Sequence, residues 1–355
     1  MSLCRHFGVC GGCAFQDKSQ TEYRALKLET VTAALAGSGV SADVEDLVIV
    51  PPQSRRRATV KALRTPTGTK IGFHAARSHD IVDMTECRVL TPALVEFIGG
   101  LRAMLDELLH NGESAELKLT QLDGGMDVSL HWVRKNDTET LALLARWAQK
   151  LKIARLSRDG VAQISLVPPT VRLGLAAVTL PPEAFLQPTL PGEQALQKFV
   201  LTALVKTKKV ADLFAGCGTF SLPLAQKVPV HAVELEGDHL AALAAAARQP
   251  GFKPVTVEKR NLFKQPVTER ELKAYDGVCL DPPRGGAEAQ ARVLATSSVR
   301  YLAYVSCDAA SFARDAAILI AGGYRLTGLI AVDQFLWSNH IELAASFRKS
   351  VKRFP

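Results

Sequence analysis

"DLFAGCGTF", residues 212–220, decides how this chain is read. A strand ending near Phe214 runs into a loop that holds Gly216 and Gly218, and a helix starts at Thr219 or Phe220. Glycines at such a place permit a tight turn and let a ligand approach the backbone closely. Glu234 closes the following strand, "VHAVELE", where a carboxylate accepts hydrogen bonds from ribose hydroxyls. A tight structural turn would account for the Gly-x-Gly alone. The acidic residue at the second strand end favours an adenosine cofactor. The third glycine of Gly-x-Gly-x-x-Gly is missing, which argues against a dinucleotide and towards S-adenosylmethionine. Cys217 reads only as a small residue.

Outward from this loop the chain has a strict rhythm. "KVADLFAG", "VHAVELE", "VTVEKR", "YDGVCLDPP" and "RYLAYVSC" read as strands separated by helices, starting at about residue 193. "YRLTGLIAVDQF" and "HIELAASFRK" then follow one another with no helix between them. Apolar strands with helical crossovers make a parallel sheet covered on both faces, and the final pair predicts an antiparallel last strand. The fold class is α/β, a Rossmann-like class I methyltransferase domain. Before it the elements are mixed. A helix at "TEYRALKLETVTAALAG" and one opened by Thr91 and Pro92 alternate with strands at "AELKLTQL", "MDVSLHWV", "AQISLVP" and "TVRLGLAAVTL", which reads as α+β. The expected division is an α+β domain over residues 1–180 and the Rossmann-like α/β domain over 181–355.

Composition bounds the setting. The chain has 355 residues, 47% of them hydrophobic and 22% charged, as in ordinary globular proteins. No apolar run is long enough to cross a bilayer, and "MSLCRHFGVC" lacks the apolar core of a signal peptide, so the expected setting is the cytoplasm. Reducing conditions there make the 7 cysteines candidates for metal binding or catalysis. The net charge of +8 is uneven: Arg55, Arg56, Arg57, Lys61, Arg64, Lys70 and Arg77 face Asp80 alone within residues 51–80. That segment reads as a hairpin turning at "TPTG", and Arg55, Arg56, Arg57 and Lys61 are candidate phosphate contacts. A solvated strand face is the plainer reading.

Three strand ends carry possible chemistry. In "LDPPRGGA" the prolines stop the fourth strand and leave Asp281 at the sheet's carboxyl edge. Cys307 ends the fifth strand, with Asp308 as cap of the next helix, whose dipole favours a thiolate. Glu342 lies between Ile341 and Leu343 in the last strand, either facing solvent or serving as a base, with His340 on the same face by the two-residue period. Cys279 reads as buried and inert.

Taken together, "DLFAGCGTF", "LDPPRGG", "VSCDAASFARD" and "HIE" resemble one family, the S-adenosylmethionine-dependent RNA uridine-C5 methyltransferases of bacteria. "CRHFGVCGGC" and "DMTECRVL" extend the resemblance to the first half through Cys4, Cys10, Cys13 and Cys87. The resemblance implies that these cysteines hold a 4Fe–4S cluster; their spacing alone fits zinc equally well. It implies Cys307 as nucleophile and Glu342 as general base. Gln187, Phe214, Gly216, Gly218, Thr219, Glu234, Asn261 and Asp281 are the implied cofactor contacts. Thr219 replaces the family's usual asparagine, and Asp308-Ala309 replaces Asn-Pro, so an extra carboxylate is expected to raise the thiol pKa. The expectation is a chain without the small N-terminal RNA-binding β-barrel of some members, as in the shorter enzymes acting on 23S rRNA. The implied partner is RNA, 23S rRNA ahead of tRNA, with no membrane and no obligatory protein partner. Two rivals remain: an adenine or cytosine amino-methyltransferase, which has no need of Cys307, and a non-catalytic RNA-binding factor with a structural metal.

Overall fold

A computed structural model describes residues 3–134 and 137–349. α1 (Gln20–Gly37) starts at a capping box in which Ser19 and Glu22 satisfy each other's backbone N–H groups. Its buried stripe, Tyr23, Lys27, Val31 and Leu35, repeats every four residues and includes a lysine. β1 (Asp46–Ile49) follows.

The hairpin β2 (Arg57–Thr65) and β3 (Gly68–His74) turns where expected. β4 (Ile81–Asp83), α2 (Pro92–Leu108), β5 (Ser114–Leu122), β6 (Gly125–His131), α3 (Thr138–Lys150), β7 (Ile153–Arg158) and β8 (Val161–Ser165) complete a seven-stranded sheet, ordered β4-β3-β2-β5-β6-β7-β8. Its apolar face, with Val60, Ile71, Leu117 and Leu156, is covered by Leu94, Ile98 and Leu101 of α2 and Leu144 and Trp147 of α3. β7 is absent from the sequence reading because Arg155 and Arg158 look like surface residues. Both are buried: Arg155 makes a two-pronged bond to Asp127 at 2.9 and 2.7 Å, and Arg158 donates to the Trp132 carbonyl.

Next come the hairpin β9 (Thr170–Leu173) and β10 (Ala176–Thr179), then α4 (Leu190–Ala203), β11 (Val210–Leu213), α5 (Ser221–Ala225), β12 (Val230–Glu234), α6 (Gly237–Ala246), β13 (Val255–Lys259), α7 (Glu269–Leu272), β14 (Gly277–Leu280), α8 (Glu288–Thr296), β15 (Tyr301–Ser306), α9 (Ala309–Ala321), β16 (Tyr324–Asp333) and β17 (Glu342–Lys349). β9 and β10 pair with each other, and β1 with β11 to β17 builds an eight-stranded sheet ordered β1-β16-β17-β15-β14-β11-β12-β13, in which β17 runs antiparallel to both neighbours. This is the Rossmann-like methyltransferase fold.

The division at residue 180 does not follow the packing. β1 is the outer strand of the methyltransferase sheet, pairing in parallel with β16, Asp46 opposite Ile330. Val31, Leu35 and Leu47 share a core with Phe312 and Leu329. On the other side, Val171 and Val178 of the β9–β10 hairpin pack with Leu222 and Leu243. The methyltransferase layer thus takes residues from both ends of the chain, and the seven-stranded sheet is inserted between them.

Candidate active site

A cleft of about 960 Å³ opens beyond the carboxyl ends of β11, β12, β14 and β15, where ligands sit in such sheets. Gln187, Phe214, Gly216, Thr219, Glu234, Asn261, Asp281, Cys307 and Glu342 all line it. Gly218 does not. Its φ is +99°, and a Cβ there would lie 2.5 Å from Leu243 Cδ1 and 3.1 Å from Leu222, so this glycine lets α6 approach the loop. Gly216 differs: with φ of +53°, its missing Cβ would meet nothing within 4 Å. That open side suits close approach of a ligand. Phe214 is also left-handed, at φ +63°, which turns its ring to within 5.4 Å of Phe263.

Backbone amides hold the Glu234 carboxylate in place. Gly216 N–H donates to Oε2 at 3.0 Å, and Leu235 and Glu236 donate to Oε1 at 2.7 and 3.1 Å. Lone pairs remain for hydroxyl donors. Asn261 spends its side-chain oxygen on the N–H groups of Phe263 and Lys264, leaving its NH₂ group.

The sheet register places the reactive pair. Ser306 of β15 pairs with Leu343 of β17, so one step further sets Cys307 opposite Glu342. Asp281, just past β14, stands on the neighbouring strand. Burial pushes the Glu342 carboxyl up to about 7, against a hydrogen bond from Gln334. Asp281 is pushed well above the ordinary carboxylate range by burial, then by Glu342 and Asp212. The Cys307 thiol is pushed up to about 11, by burial first and then by Glu342 and Asp281, while Arg284 draws it down. The carboxylates that hold the thiol protonated are therefore Glu342 and Asp281 rather than Asp308. Asp308 instead caps α9, accepting from Ser311 N–H at 2.8 Å.

His340 is not on the same strand face as Glu342, because β17 begins at Glu342 and His340 belongs to the preceding loop. Its Nδ1 accepts from Arg284 at 2.9 Å, and burial and that cation lower its pKa. The loop itself is held by a buried latch. Lys27 Nζ donates to Asp333 at 2.8 Å and to the His340 carbonyl at 2.6 Å, Tyr23 donates to Asp333, and Trp337 N–H donates to the Tyr23 oxygen at 2.7 Å. Sequence reasoning missed this latch. Lysine at the centre of the four-residue stripe Tyr23, Lys27, Val31, Leu35 was the available signal.

The basic hairpin needs a larger correction. Arg56 is buried, bonded through Nη2 to Glu193 at 2.6 Å and through Nε to the Gln187 carbonyl at 3.1 Å. Arg57 donates to the Leu186 carbonyl at 2.6 Å and lies over the Phe185 ring, and burial lowers its pKa to about 10. Arg55 donates to the Arg57 carbonyl and lines the cleft against Phe335. Lys61 is paired with Glu116. Arg56 and Arg57 thus tie the inserted sheet to the segment that carries Gln187; they do not present free cations to phosphate.

Cys4, Cys10, Cys13 and Cys87 come together around a separate cavity of about 240 Å³, walled by Phe7, Phe73, Val82, Met84 and Leu90. The N–H groups of Val89 and Leu90 donate to Cys87 Sγ at 3.4 and 3.5 Å. Burial raises all four thiols, Cys13 to about 11. Among the described residues, no three His, Cys, Asp or Glu side chains meet closely enough to hold a single metal ion. Neither is any described helix long and apolar enough to cross a membrane.

No protein-family profile matches the chain. An uncharacterised RNA methyltransferase of Rhizobium meliloti is 40% identical over 353 residues, which is 98% of this chain and 85% of that protein. The chain belongs to the RNA methyltransferases. Among its relatives, the 23S rRNA (uracil(1939)-C(5))-methyltransferase of Chromohalobacter salexigens is 33% identical over 358 residues, 96% of this chain and 74% of that one. In architecture this RNA methyltransferase is similar to the tRNA (uracil-54, C5)-methyltransferase of Pyrococcus abyssi, solved with S-adenosyl-L-homocysteine. The TM-score is 0.75 at 22% identity, covering 95% of this chain and 84% of that chain.

Proposed function

We propose that this RNA methyltransferase acts on C5 of a uridine in 23S rRNA, through a covalent bond between Cys307 and C6 of the ring. The observation that carries this reading is the register that puts Cys307 opposite Glu342, in the same cleft as Gly216, Glu234 and Asp281. An amino-methyltransferase has no use for that pair. S-adenosylmethionine, when bound, supplies an electrophilic methyl group, and Gly216, Glu234 and Asn261 are the residues suited to hold its adenosine. C5 of uracil is too weak a nucleophile to accept that methyl unaided. Once its proton has passed to solvent, the Cys307 sulfur adds to C6 and the ring electrons shift to the C4 carbonyl oxygen, so C5 acquires enolate character and can be methylated. Glu342 then takes the C5 proton, the C6–S bond breaks, and the thiolate is released. With a carboxyl near 7, Glu342 is suited to give and take protons near neutral pH. The uridine must be unstacked to reach the cleft.

The chemistry of the relative from Chromohalobacter supports 23S rRNA, and the Pyrococcus neighbour keeps tRNA as the second reading. Four cysteines around one apolar cavity, with backbone N–H groups donating to Cys87, fit a 4Fe–4S cluster held by Cys4, Cys10, Cys13 and Cys87. Such a cluster would cross-link the N-terminal loop to the inserted sheet. The test is nucleoside mass spectrometry of 23S rRNA and tRNA incubated with the protein and S-adenosylmethionine, together with denaturing gels of Glu342→Gln. The variant should accumulate as a methylated RNA adduct that Cys307→Ala never forms. Full turnover by Cys307→Ala would overturn the covalent route.

A further inference from the structure

Gln334 follows the last residue of β16 and is 1% exposed. Its amide nitrogen donates in two directions, to Gln187 Oε1 at 2.7 Å and to Glu342 Oε2 at 3.0 Å. Both protons of the NH₂ group are then used. Its oxygen has no partner among the described residues and rests against the first turn of α4, where a Cβ on Gly192 would lie 2.6 Å away. Leaving a buried acceptor unpaired costs about 1–3 kcal/mol, so something must enforce the orientation. Glu342 does. With Glu342 ionised, turning the amide over would set the Gln334 oxygen against Glu342 Oε2, acceptor against acceptor.

The consequence falls on Gln187. Its oxygen is held inward by Gln334, so the group left for the cleft it lines is Nε2, which has no hydrogen-bond partner among the described residues. We propose that Gln334 is a positioning residue that fixes the polarity of Gln187, and that the resulting N–H donor faces the substrate, not the cofactor to which the family resemblance gives it, and selects a pyrimidine with a carbonyl at position 4, as in uracil, over one with an amino group there, as in cytosine. This rests on the uridine reading above and explains a choice that the covalent chemistry leaves open. Cytosine also offers C6 to a thiolate. What differs is position 4, where uracil presents an acceptor and cytosine an NH₂ donor, which would face the Gln187 donor with no bond between them.

The test uses the full-length chain and two rRNA transcripts that differ only in uridine or cytidine at the position the wild type methylates. Gln334→Met keeps the length and removes the amide. Gln334→Glu keeps the shape; sharing one proton with Glu342, it leaves an acceptor oxygen for Gln187, which should turn its N–H groups inward and its oxygen to the cleft. Each variant should lower the ratio of kcat/KM for uridine over cytidine by about tenfold or more, Gln334→Glu the further, with S-adenosylmethionine affinity unchanged. A structural role alone would depress both transcripts alike, so an unchanged ratio in a folded variant overturns the proposal. Gln334→Glu carries the test if Gln334→Met does not fold. A wild type that methylates both transcripts equally also overturns it. If the wild type forms no 5-methyluridine at all, the uridine reading fails, and this proposal fails with it.

Discussion

Replacing Arg56 by methionine separates what the charge run suggests from what the fold does with it. The substitution keeps an apolar stem and removes the 2.6 Å bond to Glu193 and the 3.1 Å bond to the Gln187 carbonyl. Glu193 is 1% exposed, so its carboxylate would be left as an uncompensated buried charge. Breaking a buried pair in this way costs about 3–5 kcal/mol. Glu193 already has its pKa raised by burial, despite Arg56, and will take up a proton when the guanidinium is gone. The cost therefore falls at the lower end, about 3 kcal/mol. With an unfolding entropy of about 2.1 cal/mol/K per residue, the 355-residue chain should lose about 4 °C in midpoint. The loss should grow as pH rises, since the folded variant must hold a proton that the unfolded chain releases above its ordinary carboxyl pKa. A second change, Glu193→Leu, should restore much of the stability because it removes the stranded acid. Thermal scans between about pH 5 and pH 8 measure all of this. An unchanged midpoint, with RNA binding weaker and less salt-dependent, would refute the argument and return Arg56 to the phosphate backbone.

Glu342→Gln tests the buried carboxyl by stability as well as by adduct formation. Its carboxyl is raised from 4.5 to about 7, so the folded chain holds more protons than the unfolded one between those values, and stability falls as pH rises through them. That share, about 3 kcal/mol, should disappear in the variant, which gains on the wild type at pH 8 and not at pH 4 in urea titrations. Gly218→Ala should destabilise the fold by about 1–3 kcal/mol, since its Cβ meets Leu243, whereas Gly216→Ala should chiefly weaken S-adenosylmethionine binding, measured by calorimetry. Cys87→Ser should lower iron and sulfide content in anaerobically purified protein and reduce the thermal midpoint, while residual 5-methyluridine formation still depends on Cys307.

The methyltransferase domain was legible because its signals are local: the 2-to-3.6 alternation of periods, two glycines after a strand, an acid closing the next one. Cys307 and Asp281 could be placed at the cleft for the same reason, each marking a strand end, whereas Glu342, inside the last strand as read from the sequence, stood out through the family resemblance. Gly216 and Gly218 look alike in sequence and part company only through what surrounds the missing Cβ, open space in one case and Leu243 in the other. β1 escaped because "DLVI" pairs with residues at the far end of the chain. Arg56, Lys27 and Gln334 escaped for a shared reason. Charged and amide side chains are ordinarily exposed, and their burial becomes visible only once Glu193, Asp333 and Glu342 are seen beside them.

The pairing of β1 with β16 also sets a timetable for synthesis. Asp46 leaves the ribosome well before its partner Ile330. At usual elongation rates the interval is on the order of tens of seconds, during which Val31, Leu35 and Leu47 have no permanent cover. The inserted sheet has a core of its own and can form meanwhile, but the methyltransferase layer cannot close before β16 and β17 have been made. β17 carries Glu342 and pairs with β15 and β16, so a nascent chain lacks that carboxylate opposite Cys307 until these strands have been made and paired. A truncation that removes β16 and β17 should therefore leave an N-terminal segment bound by chaperones rather than a smaller enzyme.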